Sequence, residues 1–246
     1  MIKFNLNILQ TCTSTNDVAI KKAKQGLPEG SSYLSYLQTS GRGRNNNQWE
    51  SMQGNLFLST IFRPITSKVN WHQLSLIIGF SIVEILPKLG VKKNKIQLKW
   101  PNDVLVEEKK ISGILLESFD NFIVAGIGLN ILKTPQNETK WKTTKLCDHL
   151  RKDFSLKYIA NAILKIIFKN YSIWEEEGFN FFKKKINKNI NNINNKIVIK
   201  LNSQSKDFNG VFLGLGNNGT LKIKVGNKIL EYYSVESFFF PDEEIS

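Results

Sequence analysis

The sequence is poor in cysteine and histidine and has no long apolar run. Its 246 residues include two cysteines, Cys12 and Cys147, and two histidines, His72 and His149. This excludes a disulfide framework, and neither paired cysteines nor a helical His-Glu-x-x-His motif is present to bind zinc. No apolar stretch approaches the ~18 residues that a transmembrane helix needs, and the N-terminus lacks the apolar segment of a signal peptide. We therefore expect a cytoplasmic protein with a normal core and no membrane partner.

Arginine is also scarce, although the formal net charge is +13. The chain has 30 lysines and 27 asparagines but four arginines. A basic balance favours nucleic-acid binding. Here the lysines are scattered, and the excess of Lys and Asn is typical of a genome-wide compositional bias. A nucleic-acid-binding protein is therefore kept only as a weaker alternative.

Two of the four arginines lie together in the loop at residues 41–49, where Arg42 and Arg44 flank Gly43. The arginine side chain is a planar fork that can bind phosphate or carboxylate through two donors, which lysine cannot do. A neighbouring glycine lets the backbone approach a ligand closely. The loop therefore predicts an anion-binding segment, with a solvated polar loop as the alternative.

Apolar periodicity predicts a mixed α+β structure in the first 190 residues. Short β-branched or apolar segments with hairpin-length gaps favour a mixed, largely antiparallel sheet. The predicted strands cover residues 4–9, 32–38, 55–62, 96–100, 104–107, 111–119 and 122–129. Apolar residues at three- and four-residue steps predict helices over residues 15–25, 71–89, 156–171 and 174–188.

The C-terminal part reads as a separate small unit. An Asn-rich segment at 187–195 predicts a boundary between a domain over residues 1–190 and a second over residues 195–246. Residues 214–219 have the glycine spacing of a dinucleotide-binding loop, but no helix is predicted after them, so we interpret them as a hairpin turn. Five predicted strands, at 196–201, 211–215, 221–225, 229–233 and 235–240, indicate a small β-barrel.

Three further segments carry more chemistry than turns and strands need. Residues 99–103, Lys-Trp-Pro-Asn-Asp, are a turn by composition, yet they combine a cation, an indole, an amide and a candidate magnesium ligand. Lys110 opens an apolar strand that contains Gly113, and residues 126–130 end another apolar strand with two glycines. Glycine inside a strand indicates close approach of a ligand or another backbone. Solvated strand ends and tight packing are the alternatives.

In their order and spacing, these segments resemble the biotin protein ligase family (biotin–[acetyl-CoA carboxylase] ligase). The resemblance spans most of residues 1–130 and implies a fold similar to class II aminoacyl-tRNA synthetases. We therefore expect an α+β mixed sheet with helices and a small C-terminal SH3-like β-barrel. The matching pieces are Ser14-Thr15-Asn16, Gln38, the loop at 41–49, and residues 99–103, 110–113 and 126–130.

The resemblance implies a two-step ligase reaction that requires magnesium but no zinc or organic cofactor. Biotin's carboxylate attacks the α-phosphate of ATP, giving biotinoyl-5′-AMP and pyrophosphate. The adenylate then acylates one lysine of the biotin carboxyl carrier domain of acetyl-CoA carboxylase or a related carboxylase. Because the first predicted strand begins near residue 3, we expect a form without the N-terminal DNA-binding domain, without repressor function and without a DNA partner. Homodimer formation stays open.

By resemblance, Lys110, Arg42 and Arg44 are the predicted catalytic residues. Lys110 would bridge the carboxylate and the phosphate, and the arginines lie on a loop that closes over the adenylate. Fixed cations suit this step because it brings two anions together. The predicted site for biotin and the adenylate consists of Ser14, Thr15, Asn16, Gln38, Gly41, Arg42, Gly43, Arg44, Trp49, Lys99, Trp100, Asn102, Lys110, Gly113, Gly128 and Asn130.

The resemblance also implies how this set divides its contacts. The polar residues at 14–16 and Gln38 would hydrogen-bond biotin's ureido ring, since unpaired buried polar groups are costly. Trp49 and Trp100 are expected to form apolar walls around the ligand. Asn102 and Asp103 are expected to face the phosphates, with Asp103 as the magnesium ligand.

One departure and one rival accompany the resemblance. Many relatives carry Arg and Gly where this chain has Asn45 and Asn46, so this loop has one cation and one flexible residue fewer. A lipoate–protein ligase shares the architecture and the adenylation chemistry. It is not expected to combine the Gly-Arg loop with the Lys-Trp-Pro-Asn-Asp turn, and biotin against lipoate in pyrophosphate exchange would separate the two.

Overall fold

The computed structural model describes residues 3–135, 142–150, 154–201, 206–235 and 237–240. Within these limits it contains a seven-stranded mixed sheet, four α-helices and a five-stranded antiparallel sheet. The predicted α+β class, with a small C-terminal β unit, is confirmed. The outer limits predicted for the two domains, residues 1 and 246, lie outside the described residues.

The first sheet places sequence-distant strands side by side. Its order is β1-β2-β3-β7-β6-β5-β4, with β1 and β2 parallel and the other neighbours antiparallel. The central strands β3, β7 and β6 therefore bring three separate sequence segments onto one surface. The strands are β1 (Asn5–Leu9), β2 (Ser31–Ser35), β3 (Leu56–Phe62), β4 (Ile96–Lys99), β5 (Asp103–Val106), β6 (Lys109–Ser118) and β7 (Ile123–Leu129).

Four helices accompany this sheet in the described part of the chain: α1 (Thr15–Lys24), α2 (Gln73–Leu89), α3 (Leu156–Glu177) and α4 (Asn180–Asn187). The Ser14 hydroxyl caps α1 by accepting a hydrogen bond from the backbone N–H of Asn16, and Ser155 caps α3 in the same way. α2 ends at Gly90, whose φ of 116° suits a residue without a Cβ. Capping residues visible in the sequence thus set three of the helix ends.

The predicted helix over residues 174–188 was wrong at its start. Tyr171 and Trp174 continue the buried stripe of α3, so this helix runs on to Glu177. Gly178, with φ of 71°, then interrupts the helix, and α4 begins at Asn180. A single long helix therefore covers much of a region in which two were expected.

The two faces of the first sheet are covered by different helices. Leu58 and Phe62 belong to the larger core, which also contains the buried residues of α2 and α3. Ile61 belongs to a smaller cluster with Ala19 and Ala23 of α1 on the opposite face. Because side chains alternate along a strand, β3 divides its residues between the two faces. The open part of the α1 face is where the cleft described below lies.

Arg63 fastens the last turn of α1 to the end of β3. Its Nη2 donates to the backbone carbonyls of Ala23 and Leu27, each at 3.1 Å, and its Nη1 donates to the carbonyl of Asn121 at 3.4 Å. The Ala23 carbonyl also accepts a hydrogen bond from the Gly26 N–H at 3.0 Å. The guanidinium adds a second donor there and holds α1 against the sheet.

The second sheet follows α4 and packs on the first part of the chain. Its strands are antiparallel throughout: β8 (Lys196–Lys200), β9 (Phe208–Leu215), β10 (Leu221–Val225), β11 (Lys228–Tyr232) and β12 (Ser237–Phe239), in the order β11-β10-β9-β8-β12. Residues 214 and 215 end β9 and residues 216–220 join it to β10, its antiparallel neighbour, which confirms the hairpin interpretation. The apolar core continues without a break into this sheet, for example through Ile197 and Phe212. The division into two domains stays a prediction.

None of the helices in the described ranges combines the length and the apolar character needed to cross a membrane.

Candidate active site

A cleft of about 590 Å³ opens on the α1 face of the first sheet. Its walls come from the start of α1, the loop at 41–49, the turn before β5, and strands β3, β6 and β7. Segments that lie far apart in sequence thus meet in one place. The predicted residues that line it are Ser14, Thr15, Asn16, Gln38, Arg42, Gly43, Arg44, Trp49, Asn102, Asp103, Lys110, Gly113, Gly128 and Asn130.

The floor of the cleft is a pair of glycines covered by an indole. Gly113 on β6 and Gly128 on β7 are directly paired in the sheet. A Cβ at Gly128 would lie 2.4 Å from the ring of Trp49, and one at Gly113 would lie 3.0 Å from it. Side chains at these positions would therefore push the indole away. The buried Nε1 of Trp49 has no hydrogen-bond partner among the described residues.

One end of the cleft is uncharged and polar. The Gln38 Oε1 accepts hydrogen bonds from the backbone N–H of Thr15 at 2.8 Å and from its hydroxyl at 3.0 Å. The Gln38 Nε2 donates to the hydroxyl of Ser51 at 2.9 Å. These bonds orient the amide and hydroxyl groups before any ligand arrives, as recognition of a small polar ring requires.

Asn16 is the most constrained side chain at this end. Ser59 on β3 donates to its Oδ1 at 2.5 Å, and its own Nδ2 donates to Glu117 on β6 at 2.6 Å. A Cβ at Gly126 would lie 2.3 Å from the same Oδ1. Asn16 therefore depends on a glycine that the sequence marked only as part of a glycine-rich strand end.

The other end of the cleft is charged. The Lys110 Nζ lies 2.8 Å from Asp103 Oδ1 and 5.5 Å from the ring centroid of Trp49. Arg44 Nη1 donates to Asn102 Oδ1 at 3.4 Å. Burial lowers the pKa of Arg44, and the charge of Asp103 partly opposes this. The Lys110 ammonium, the Arg44 guanidinium and the Asp103 carboxylate therefore lie together in a largely buried part of the cleft.

The turn at 100–103 positions this charged end. Asn102 donates from Nδ2 to the Ile114 carbonyl at 2.9 Å, and its own carbonyl accepts from the Ile114 N–H at 2.9 Å. This double contact ties the turn to β6, the strand that carries Lys110. Asp103 and Lys110 meet because β5 and β6 are paired there.

Arg42 points away from Arg44. Its guanidinium makes two hydrogen bonds to Asp17, at 2.7 and 3.0 Å, and also contacts Glu117. The hydrogen bond to Asp17 raises the pKa of the Arg42 guanidinium above its ordinary value. Directly after Arg44, Asn45 adopts a left-handed conformation with φ of 54° and ψ of 40°. Asn tolerates this region better than most residues, so it can take a place where glycine would also fit.

Three predicted residues do not line the cleft. Trp100 was expected to form an apolar wall, but it is buried and its Nε1 donates to the Gly219 carbonyl of the second sheet at 3.1 Å. Lys99 is buried as well, with Nζ 5.9 Å from the ring of Phe240. Gly41 lies beside the cleft, where a Cβ would come within 2.4 Å of the Trp49 carbonyl. The side chains of Lys99 and Trp100 both contact the second sheet, which takes them away from the ligand space.

Sequence reasoning missed several lining or supporting residues. Phe57 and Ser59 project from β3 toward α1, and Thr143 lies beside Lys110. A serine in an otherwise apolar strand was the available signal for Ser59. Thr143 follows residues outside the described ranges and gave no sequence signal.

Asp103 is the carboxylate at the charged end of the cleft, where it suits a metal ion bound together with phosphates. In the described residues no group of three or more His, Cys, Asp and Glu side chains converges as a metal cage. Magnesium commonly uses one or two carboxylates together with substrate phosphates and water. Asp103 and the neighbouring Asn102 fit that mode, and a closed cage does not.

Comparisons with known proteins agree with this geometry. Residues 8–131 match the model of the biotin/lipoate A/B protein ligase family. The chain is 28% identical over 238 residues to the bifunctional ligase/repressor BirA of Bacillus subtilis, covering 91% of this chain and 70% of that protein. It is 33% identical over 147 residues to a biotin–[acetyl-CoA-carboxylase] ligase of Mycobacterium tuberculosis, covering 58% of this chain and 55% of that protein.

Solved structures agree over almost the whole length. The biotin protein ligase from Aquifex aeolicus in complex with biotin and ATP superposes with a TM-score of 0.84 at 30% identity, covering 96% of this chain and 99% of that one. The biotin protein ligase from Leishmania major in complex with biotinyl-5-AMP gives a TM-score of 0.69 at 25% identity, covering 92% and 98%. From the matched motifs, the fold and the cleft together, this chain belongs to the biotin/lipoate A/B protein ligase family.

Proposed function

We propose that this protein is a biotin–protein ligase, which activates biotin with ATP and transfers it to a lysine of a biotin carboxyl carrier domain. One observation carries the proposal. A single cleft joins a neutral polar end, built around Asn16 and Gln38, to a cationic end built around Lys110 and Arg44. A ligand with a polar uncharged ring at one end and a reacting carboxylate at the other fits this arrangement.

The cationic end suits the first step, in which two anions must meet. A carboxylate oxygen of biotin attacks the α-phosphorus of ATP while the bond to the bridging oxygen of pyrophosphate breaks. Negative charge concentrates on the non-bridging oxygens during this exchange, and fixed donors in a shielded site stabilise it. Lys110 and Arg44 are the proposed donors, since both face the cleft at that end.

The neutral end suits a cyclic urea. Such a ring has one carbonyl acceptor and two N–H donors, which need partners when buried. Ser14, Thr15, Asn16 and Gln38 offer hydroxyl, amide and backbone groups there. The Trp49 indole, which packs on the glycine floor, would offer an apolar wall to the chain of biotin.

Magnesium would enter with the nucleotide. Asp103 is the proposed protein ligand, with Asn102 beside it, and the ion would supply neutralisation of the phosphate charge. In this structure the Asp103 carboxylate is paired with the Lys110 ammonium, which places both groups at the charged end of the cleft.

In the second step the uncharged ε-amine of the carrier lysine attacks the acyl carbon of the adenylate. The acyl–oxygen bond to AMP breaks, AMP leaves, and the nitrogen loses a proton. A reactive mixed anhydride must be protected from water until the carrier arrives. The loop at 41–49, with Trp49 against the floor, is the proposed cover.

The direct test is to incubate the protein with ATP, magnesium, biotin and a purified carrier domain. We expect the carrier to gain the mass of one biotinoyl group, on its acceptor lysine and in no other place. The family also includes lipoate ligases, so the same assay is run with lipoate. Lipoyl transfer without biotinoyl transfer would replace the proposal with a lipoate–protein ligase, and transfer of neither would refute both.

A further inference from the structure

Arg42 ties the loop at 41–49 to two acidic residues outside it, in addition to the Arg44–Asn102 hydrogen bond and the packing of Trp49 on the glycine floor. Arg42 makes a two-pronged contact with Asp17, with Nη2–Oδ1 at 2.7 Å and Nη1–Oδ2 at 3.0 Å. Its Nη2 also lies 3.3 Å from Glu117 Oε2. Arg42 lines the cleft, yet both arms of its guanidinium are engaged by carboxylates of the protein.

The two acids come from opposite walls. Asp17 lies in the first turn of α1, directly after Asn16, and Glu117 lies near the end of β6. Glu117 Oε2 also accepts the hydrogen bond from Asn16 Nδ2 at 2.6 Å. The attachment of the loop and the orientation of a proposed binding residue therefore share one carboxylate.

The loop is folded on itself. The Gly43 N–H donates to the Asn47 carbonyl at 2.7 Å, and the Trp49 N–H donates to the Gly41 carbonyl at 3.0 Å. It carries Arg44 and Trp49 over the cleft. These internal hydrogen bonds link Arg42 to the two side chains, so the contacts of Arg42 add to their own contacts in holding them over the cleft.

We propose that Asp17 and Glu117 are positioning residues that keep this loop closed through Arg42, so that their charge sets how long the acyl-adenylate is retained. The inference rests on the proposed function. It differs from the expectation that Arg42 itself binds phosphate: the guanidinium acts on the loop, and the cations that face the reacting groups are Arg44 and Lys110.

The Arg42–Asp17 contact is weak enough to let the closed loop open again. The Arg42 and Asp17 side chains are 38% and 42% exposed. Ion pairs this exposed are weak and are screened by salt. A charge-neutral replacement of Asp17 should therefore speed release of the adenylate by about two- to five-fold rather than abolish its formation.

The first experiment measures release of preformed adenylate from Asp17→Asn, Glu117→Gln and the double variant. The control is Asp120→Asn, which removes another acid in an exposed ion pair, with Lys68. We expect faster release in both single variants, the largest effect in the double variant, and none in the control. Added salt should accelerate release from the wild type more than from the double variant. Release unchanged in the double variant overturns the inference.

A charge exchange separates a latch from a phosphate ligand. Arg42→Asp alone should speed release, and Arg42→Asp combined with Asp17→Arg should restore most of the retention, because Arg at 17 can pair with both carboxylates. If Arg42 binds phosphate directly, the exchange restores nothing, and the inference is wrong.

Hydrogen exchange at the amides of residues 41–49, without any ligand, tests the latch separately from the chemistry. We expect faster exchange there in the Asp17→Asn/Glu117→Gln protein and unchanged exchange in β3. Equal loop exchange in variant and wild type refutes the latch. If the wild type forms no adenylate, but loop exchange is still faster in the double variant than in the wild type, the proposed function is refuted and the latch is not.

Discussion

Lys110 and Asp103 form a mostly buried ion pair across the β5–β6 ladder, with 2.8 Å between Nζ and Oδ1. The two residues belong to different sequence motifs, and the pairing of β5 with β6 brings them together. Breaking a shielded pair leaves the remaining charge uncompensated. In this structure the two charges therefore compensate each other. With ATP and magnesium in the cleft, we expect Lys110 to face the phosphate and Asp103 to face the metal.

Lys110→Ala should reduce the rate of adenylate formation by about 10²- to 10³-fold, comparable to the loss of one preorganised donor. The measurement is pyrophosphate exchange at saturating biotin and ATP. Lys109→Ala is the matched control, because Lys109 is the adjacent residue and is exposed. Equal rates in Lys110→Ala and wild type would remove Lys110 from the mechanism.

Gly128→Ala should weaken biotin binding more than Gly113→Ala does. The added methyl would come within 2.4 Å of the Trp49 ring in the first case and 3.0 Å in the second, so the first displaces the indole further. Isothermal titration with biotin measures both. Adding Trp49→Ala to Gly128→Ala removes the clash, so the double variant should bind no worse than Trp49→Ala alone. A Gly113→Ala protein that binds more weakly than Gly128→Ala contradicts this account of the floor.

Trp100→Phe should destabilise the protein by about 1–3 kcal/mol, because the buried carbonyl of Gly219 loses its donor. KM for biotin and ATP should stay close to the wild-type values, since the indole does not line the cleft. Trp49→Phe is the comparison, with the opposite expectation: little change in urea unfolding and a raised KM. A raised KM for Trp100→Phe at unchanged stability would return Trp100 to the ligand site.

Glu175→Gln should stabilise the protein increasingly as the pH rises. Burial raises the pKa of the Glu175 carboxyl above its ordinary value of 4.5, and Glu29 adds to the rise, whereas the Ile65 N–H, which donates to it at 2.8 Å, opposes it. The native state therefore binds more protons than the unfolded state above pH 4.5, and this contribution to stability is lost as the pH increases through the raised pKa. Glutamine stays neutral and avoids the loss.

Urea unfolding of Glu175→Gln and wild type between pH 4 and pH 7 measures this difference. The two free energies of unfolding should converge at the acid end, about where the unfolded carboxyl is protonated, and separate above it. Glu176→Gln, at the exposed neighbouring position, is the control. A difference that is constant with pH would contradict the burial argument.

The sequence predicted the strands, and the starts of α1, α2 and α3 within about two residues, because those depend on local signals. Period-two and period-three-to-four patterns are readable without tertiary contacts. The end of α3 was misjudged because Tyr171 and Trp174 are buried by packing that the local pattern does not report. Strand order, which assembles the cleft, could come only from the resemblance.

The candidate site was predictable where motifs bear directly on the cleft, as for the loop at 41–49. The site was harder to predict where the direction of a side chain decides whether the residue lines the cleft. Trp100 and Asn102 are two residues apart in the same motif, yet one faces the second sheet and the other faces β6. Supporting groups such as Ser59 carry no motif of their own, and only the register of β3 against β7 places it beside Asn16.

Arg63 shows what the scarcity of arginine means for this chain. Its guanidinium donates to three carbonyls near the C-terminal end of α1. The Arg42 guanidinium donates through two nitrogens to the carboxylate of Asp17, near the N-terminal end of the same helix. A lysine at either place would keep the net charge of +13 but could offer only a point-like ammonium on a flexible stem. The helix that presents Thr15 and Asn16 thus contacts an arginine at each end. Replacing both arginines with lysine would keep the charge but lose the two-nitrogen contacts that orient the helix.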